Sequence, residues 1–181
     1  MPQTSRKPAL AAAVLVIALG TTAPALGDGG PRQAGGAVGP AARVAIAAKV
    51  SASEANFEKK VLTLTNKRRA KAGCGALKLH TSLRKAARKH SALMAKHQTL
   101  SHQLPGEASL GKRITKAGYR NWRAVAENVA YGYPTPGDLV AAWMASPGHR
   151  KNILTCRYKH LGVGVTLRNG VPWATQDFGR K

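Results

Sequence analysis

Ser146, His149 and Asn152 crowd into one short stretch, WMASPGHRKNIL (143–154). A serine hydroxyl beside an imidazole is the pair a hydrolase uses. The ring takes the proton and the freed oxygen attacks a carbonyl. Glu127, in NWRAVAENVAYGY, could supply the acid that orients the ring. Two features oppose this. Ser146 lacks the Gly-x-Ser-x-Gly setting of a nucleophile elbow. Ser146-Pro147 also reads as a helix start, with Ser146 at the N-cap, Pro147 at N1 and His149 at N3. That assignment predicts a hydroxyl engaged by a backbone N–H. At N3 the positive end of the helix dipole disfavours imidazolium, so His149 is expected neutral, the form that binds metals. Asn152 follows about one turn along the same side. Glu127 sits among Val125, Ala126 and Val129, where a carboxylate is costly to bury unless paired. It is either a site acid or an anchor for loop amides and imidazoles.

These residues must be positioned by helices first and strands last. Ser51 and Glu54 have capping-box spacing and predict a helix start, with Phe57, Val61 and Leu64 on one face and Gly73 ending the run. A second helix is expected over 82–97. Leu83, Ala86, Ala87, His90, Met94 and His97 form its stripe, and His90 is expected as a core histidine rather than a ligand. A third, short helix is expected over 109–117, stopped by Gly118. Thr135, Pro136 and Asp138 open a fourth. LGVGVTL (161–167) and VPWATQDF (171–178) read as strands joined by an Asn169-Gly170 type I′ turn. Gly162 and Gly164 bare part of one strand face, which predicts a close neighbour there. The order is that of an α+β domain.

Ahead of this lies a different kind of sequence. Residues 1–27 have a basic start (Arg6, Lys7), a short apolar run and small residues, the pattern of a secretory signal peptide. The apolar run is shorter than the roughly 20 residues a spanning helix needs, so no transmembrane segment is expected after cleavage. Residues 28–52 are rich in Ala, Gly and Pro and are expected to be a flexible linker. The domain should then occupy 53–181. In an oxidising compartment the two cysteines, Cys74 and Cys156, are expected to form one disulfide. Closing that loop is worth about 4 kcal/mol in the chain-entropy model.

The formal charge is +22. From Glu54 onward there are 24 Lys/Arg against 6 Asp/Glu, a net of +18. Such a field favours polyanions. For a secreted chain these would be envelope polymers or anionic lipids. Basic residues scattered along helices, without interleaved aromatics, do not make a nucleic-acid stacking platform, and no nucleic-acid partner is expected.

Four segments appear in order between residues 99 and 179: TLSH, AENVA, WMASPGHRKNIL and LGVGV…WATQDFG. Together they resemble the CAP superfamily of cysteine-rich secretory proteins, antigen 5 and pathogenesis-related proteins, most of all its bacterial secreted branch. The resemblance implies an α-β-α sandwich with a central antiparallel sheet. It also implies a shallow cleft of two histidines and two acids that holds a divalent metal in some members. His102 matches the first histidine, Glu127 the glutamate, with Ala126 where the family has glycine, and His149 the second histidine. The second acidic position falls on Ser146, so the full tetrad is absent.

Three functions follow as expectations. The first is a secreted binding module for lipid or an anionic wall polymer, its cleft lined by His102, Glu127, Ser146, His149 and Asn152. The second is a metal-dependent, peptidase-like hydrolase, in which His102, His149 and Glu127 hold an ion such as zinc and Glu127 or His149 acts on water. Once Glu127 becomes a ligand, no clear general base is left. The third is the Ser146–His149–Glu127 hydrolase. Oligomeric state is not legible in the sequence.

Overall fold

The backbone alternation of three strands decides this architecture. The computed structural model describes residues 39–181. The expected signal peptide and the first part of the linker lie outside the described residues. α1 spans Pro40–Lys71, α2 Thr81–His97, α3 Leu110–Lys116, α4 Pro136–Ala145 and α5 Pro147–Leu154. The strands are β1 (Lys78–Leu79), β2 (Ala124–Tyr131), β3 (His160–Arg168) and β4 (Val171–Arg180). They form one sheet in the order β1-β3-β4-β2. β3–β4 and β4–β2 are antiparallel, and the two-residue β1 adds a parallel edge.

Each long strand turns alternate side chains to opposite faces. Leu161, Val163 and Val165 on β3 and Ala174 and Phe178 on β4 pack with Val61, Leu139, Val140, Trp143 and Ile153, from α1, α4 and α5. The other parity faces α2: Val129 and Trp173 pack with Met94, Ala95 and Leu104. The expected α-β-α sandwich is therefore formed. Gly162 and Gly164 explain how close the second layer comes. A Cβ at Gly162 would fall into the backbone of Leu83 and Arg84, and one at Gly164 into that of Ala87 and Arg88. The β3–β4 turn is as expected, with Asn169 at φ 52° and Gly170 at φ 76°.

The linker expectation is corrected in part. Residues 40–52 are helical, the N-terminal portion of α1, with Pro40 at its start and Gly39 as N-cap. The Ala-rich composition that hides amphipathic periodicity is also the best helix-forming composition. Ser51 and Glu54 are therefore inside a helix and not a capping box. Glu54 instead accepts from the Leu167 N–H at 2.8 Å. Thr135 caps α4 as expected, accepting from the Asp138 N–H at 3.1 Å. Cys74 and Cys156 form the disulfide, Cα atoms 4.9 Å apart. Beside it, the buried Arg69 donates to the carbonyls of Gly75, Ile153, Thr155 and Tyr158. Cation and disulfide together tie the end of α1 to the end of α5.

Candidate functional site: a histidine cleft over a buried carboxyl network

Glu127 lies on β2, an edge strand of the sheet, with its side chain on the α2 face. Its carboxylate is buried, 2 % exposed, and both oxygens are engaged. Oε1 accepts from His102 Nδ1 at 2.9 Å. Oε2 pairs with the Arg113 guanidinium from α3. Arg113 also donates to the His102 carbonyl at 3.1 Å, so one cation fixes both the acid and the loop that carries its histidine. His102 itself is 61 % exposed. Its hydrogen bond to Glu127 raises the imidazole above its usual range, against the opposing effect of partial burial. With Nδ1 donating to the carboxylate, Nε2 is the nitrogen open to the cleft.

His149 begins α5, on the opposite face of the sheet from α2. The helix-start assignment holds, with Pro147 at N1, but Ser146 makes no side-chain capping bond. The expectation that its hydroxyl is occupied by a backbone N–H is therefore corrected. Ser146 turns the chain from α4 into α5 by its extended backbone, φ −87° and ψ 122°. Partial burial lowers the His149 imidazole, and the neighbouring His102 lowers it further. The neutral form expected at this position thus has a second cause besides the helix dipole. Glu127 does not orient His149. Consecutive residues of β2 face opposite ways, so Glu127 turns toward His102 while Asn128 turns toward α5 and donates to the His149 carbonyl at 3.3 Å. Asn152 serves as a strut between α5 and β2. Its amide donates to the Glu127 carbonyl at 3.1 Å and to Asn128 Oδ1 at 2.9 Å, locking α5 onto β2.

Beneath the cleft lies a network that the sequence did not announce. Asp177 stands directly opposite Glu127 in the β2–β4 register. It is 1 % exposed, and its Oδ1 has no hydrogen-bond partner. Burial first, and the nearby Glu127 charge second, hold this carboxyl well above the ordinary carboxylate range. Glu107 accepts from the Leu104 N–H at 3.1 Å and lies 2.9 Å from His90 Nδ1. Burial opposes its charge, but that amide, His90 and Arg113 outweigh burial and keep it below the usual range. His90 is the buried core histidine expected. Its Nε2 faces the Ser101 carbonyl at 2.9 Å, and a carbonyl can only accept, so Nε2 carries a proton. Arg113 thus joins Glu107, Glu127 and His90 in one buried set. The signal for it was scarcity. In so basic a chain, Glu54, Glu58, Glu107, Glu127 and Asp138 each hold a structural partner, and Asp177, the exception, shares the inward parity of Trp173 and Thr175.

The donors do not fit a resident metal in this arrangement. Among the described residues, no three His, Cys, Asp or Glu side chains come together as metal ligands. The carboxylate that would complete a site with His102 and His149 already carries an arginine and an imidazole. Nor is there a Ser146–His149–Glu127 relay, since Glu127 spends its oxygens elsewhere.

A three-layer sandwich with paired histidines across its edge strand defines a recognisable class. The model of the cysteine-rich secretory protein (CAP) family matches residues 62–177, and the chain belongs to this family. It is 39% identical over 124 residues to the Bacillus subtilis (strain 168) protein YkwD, covering 68% of this chain and 48% of that one. The extracellular SCP-domain protein of Bacillus anthracis str. Ames superposes with a TM-score of 0.69 at 27% identity, over 81% of this chain and 45% of that chain. An outer surface protein of Borrelia burgdorferi shares the fold, with a TM-score of 0.65 at 20% identity, over 70% of this chain and 93% of that one. The chain thus spans about half the length of YkwD.

Proposed function

We propose that the protein acts outside the cell, at or near the envelope, as a binding module for an anionic envelope component, lipid or wall polymer. The observation that carries this is how the acids are spent. Of the six within the described residues, Glu58, Glu107 and Glu127 are consumed in ion pairs. Glu54 accepts a β3 amide, Asp138 bonds Thr135 at the start of α4, and Asp177 is buried. Almost nothing acidic remains to offset the surface lysines and arginines, so their field reaches solvent. An outward field of one sign raises the local concentration of polyanions. The extracellular and surface placement of the B. anthracis and Borrelia neighbours supports the location. No described helix is long and apolar enough to cross a membrane. The cleft supports binding over hydrolysis, because its one carboxylate is locked by His102 and Arg113 and its serine has no base.

Cosedimentation with anionic vesicles and with wall preparations, across a salt series, tests this. Binding should weaken steeply between low and physiological salt, where exposed charges are screened beyond about 10 Å. Flat salt dependence would sink the charge-led reading.

A further inference from the structure

We propose that the groove between α2 and α3 binds the phosphate-bearing headgroup of an anionic lipid. This rests on the envelope-binding reading and gives it a site, on the α2 side of the sheet and beside the histidine cleft, with which it shares Arg113. Lys85 and Lys89 stand one turn apart on α2, and Lys116 faces them from α3, around a cavity of about 590 Å³. All three are exposed and none takes part in an ion pair among the described residues. Between them the lining is apolar, supplied by Ala86, Leu93, Ala108 and Ala117. Glu107 and Arg113 form the inner end. The Glu107 carboxylate is 7 % exposed and paired with Arg113, so it does not set a free negative charge against an anion.

The apolar lining and a tryptophan select among anions. On the other flank of α3 a second hollow, sharing Lys116, is lined by Lys112, Arg120 and Trp122. Trp122 is 36 % exposed and its indole N–H is anchored to Thr115 at 3.0 Å. The sequence shows scattered basic residues without aromatics. The fold gathers Lys112, Lys116 and Arg120 with an indole around one short helix. Lysines reach phosphates while indole and aliphatic stems sit at headgroup depth, which is the pattern of a membrane–water interface. A soluble phosphodiester polymer needs the charges and leaves the apolar lining and Trp122 without a role.

The test uses the full chain and vesicles of phosphatidylcholine with and without phosphatidylglycerol, with long-chain polyphosphate as the polymer probe. The combined variant Lys85→Gln/Lys89→Gln/Lys116→Gln should lose at least about tenfold in affinity for phosphatidylglycerol vesicles. Lys59→Gln/Lys60→Gln/Lys67→Gln removes the same charge from α1 and should lose less than about threefold. Trp122→Ala should weaken vesicle binding and leave polyphosphate binding unchanged. Thermal melts confirm that each variant is folded. Equal losses in the two triple variants would overturn the groove while leaving the envelope-binding reading intact. Vesicle binding indifferent to Trp122, with the groove lysines needed only for polyphosphate, would make the occupant a polymer and overturn the lipid. Failure of the unsubstituted chain to bind either probe would overturn both.

Discussion

Glu127 and Asp177 face each other across β2 and β4 as two buried carboxyls, of which only Glu127 has cationic partners. Arg113 and His102 both contact Glu127, whereas burial first and the Glu127 charge second raise the Asp177 carboxyl, against a smaller opposing effect of Arg113. A carboxyl whose folded pKa is raised makes the folded state the better proton binder. Its contribution is complete below the unfolded value, near 3.9, and is lost as pH rises from there toward the folded value. Asp177→Asn mimics the protonated form without that loss. The variant should melt a few degrees higher than the parent at pH 7 and show no gain near pH 3. A lower melting temperature at pH 7 would mean that an ionised Asp177 holds the sheet together.

His102 and His149 should titrate in a fixed order. Glu127 raises the first imidazole, while burial and the His102 charge lower the second. Over the interval between their midpoints, His102 is charged and His149 neutral, so the cleft offers one N–H cation and one free acceptor. Proton NMR of the ring resonances should give His102 the higher midpoint. Glu127→Gln should move the His102 midpoint down. On linkage, the raised His102 adds stability below its unfolded value near 6.5, and this is lost as pH rises through its folded value. The reverse order of midpoints would contradict the hydrogen bond to Glu127.

The disulfide and Arg69 act on the same junction by different means. Reduction, or paired Cys74→Ser/Cys156→Ser, should cost about 4 kcal/mol through the freed loop. Arg69→Leu should cost about 3 kcal/mol or more, because several buried carbonyl acceptors lose their donors at once. Arg69 has no acid partner among the described residues, and burial lowers its pKa. The two changes share a junction, so their costs should not add. Urea melts of the single and combined variants give the coupling directly. Strict additivity would mean that the two devices stabilise independent segments.

Much of this architecture was legible because backbone chemistry announced it. Asn169-Gly170 named the hairpin, Thr135-Pro136 named a helix start, and Gly162 and Gly164 named the face on which α2 lies. What stayed hidden was tertiary pairing. Glu107 and Arg113 are unremarkable surface types in sequence, and only the approach of α3 to the loop after α2 makes them a buried pair. Asn152 has helical spacing from His149, yet spacing along one helix does not say which strand lies beneath it. The β2 strand was masked by a residue pattern, AVAENVAY, in which the polar pair Glu127-Asn128 breaks apolar alternation. Each of those two residues is paired on its own face, so the pattern looked irregular where the strand is regular.

Removing the Glu127 carboxylate should do far more harm than removing either cleft histidine. His102 is mostly exposed, and a surface pair contributes at most about 1 kcal/mol, so His102→Ala should leave the domain nearly as stable as the parent. His149→Ala should behave similarly, since the contact from Asn128 is to its backbone carbonyl and not to its ring. Glu127→Ala differs because it strands Arg113, a cation only 9 % exposed, beside a single remaining carboxylate, Glu107. Breaking a buried pair by deleting one partner costs about 3–5 kcal/mol. Glu127→Gln keeps the shape and one acceptor oxygen but not the charge, and should fall between the two. It should also relieve Asp177, whose carboxyl would then titrate at lower pH. The combined Glu127→Gln/Asp177→Asn variant should therefore gain less from its second change than the parent gains from Asp177→Asn alone. Chemical denaturation of the four variants at pH 7 decides this. If Glu127→Ala proves no more costly than His102→Ala, Arg113 draws its neutralisation from elsewhere and Glu127 is not the anchor of the network.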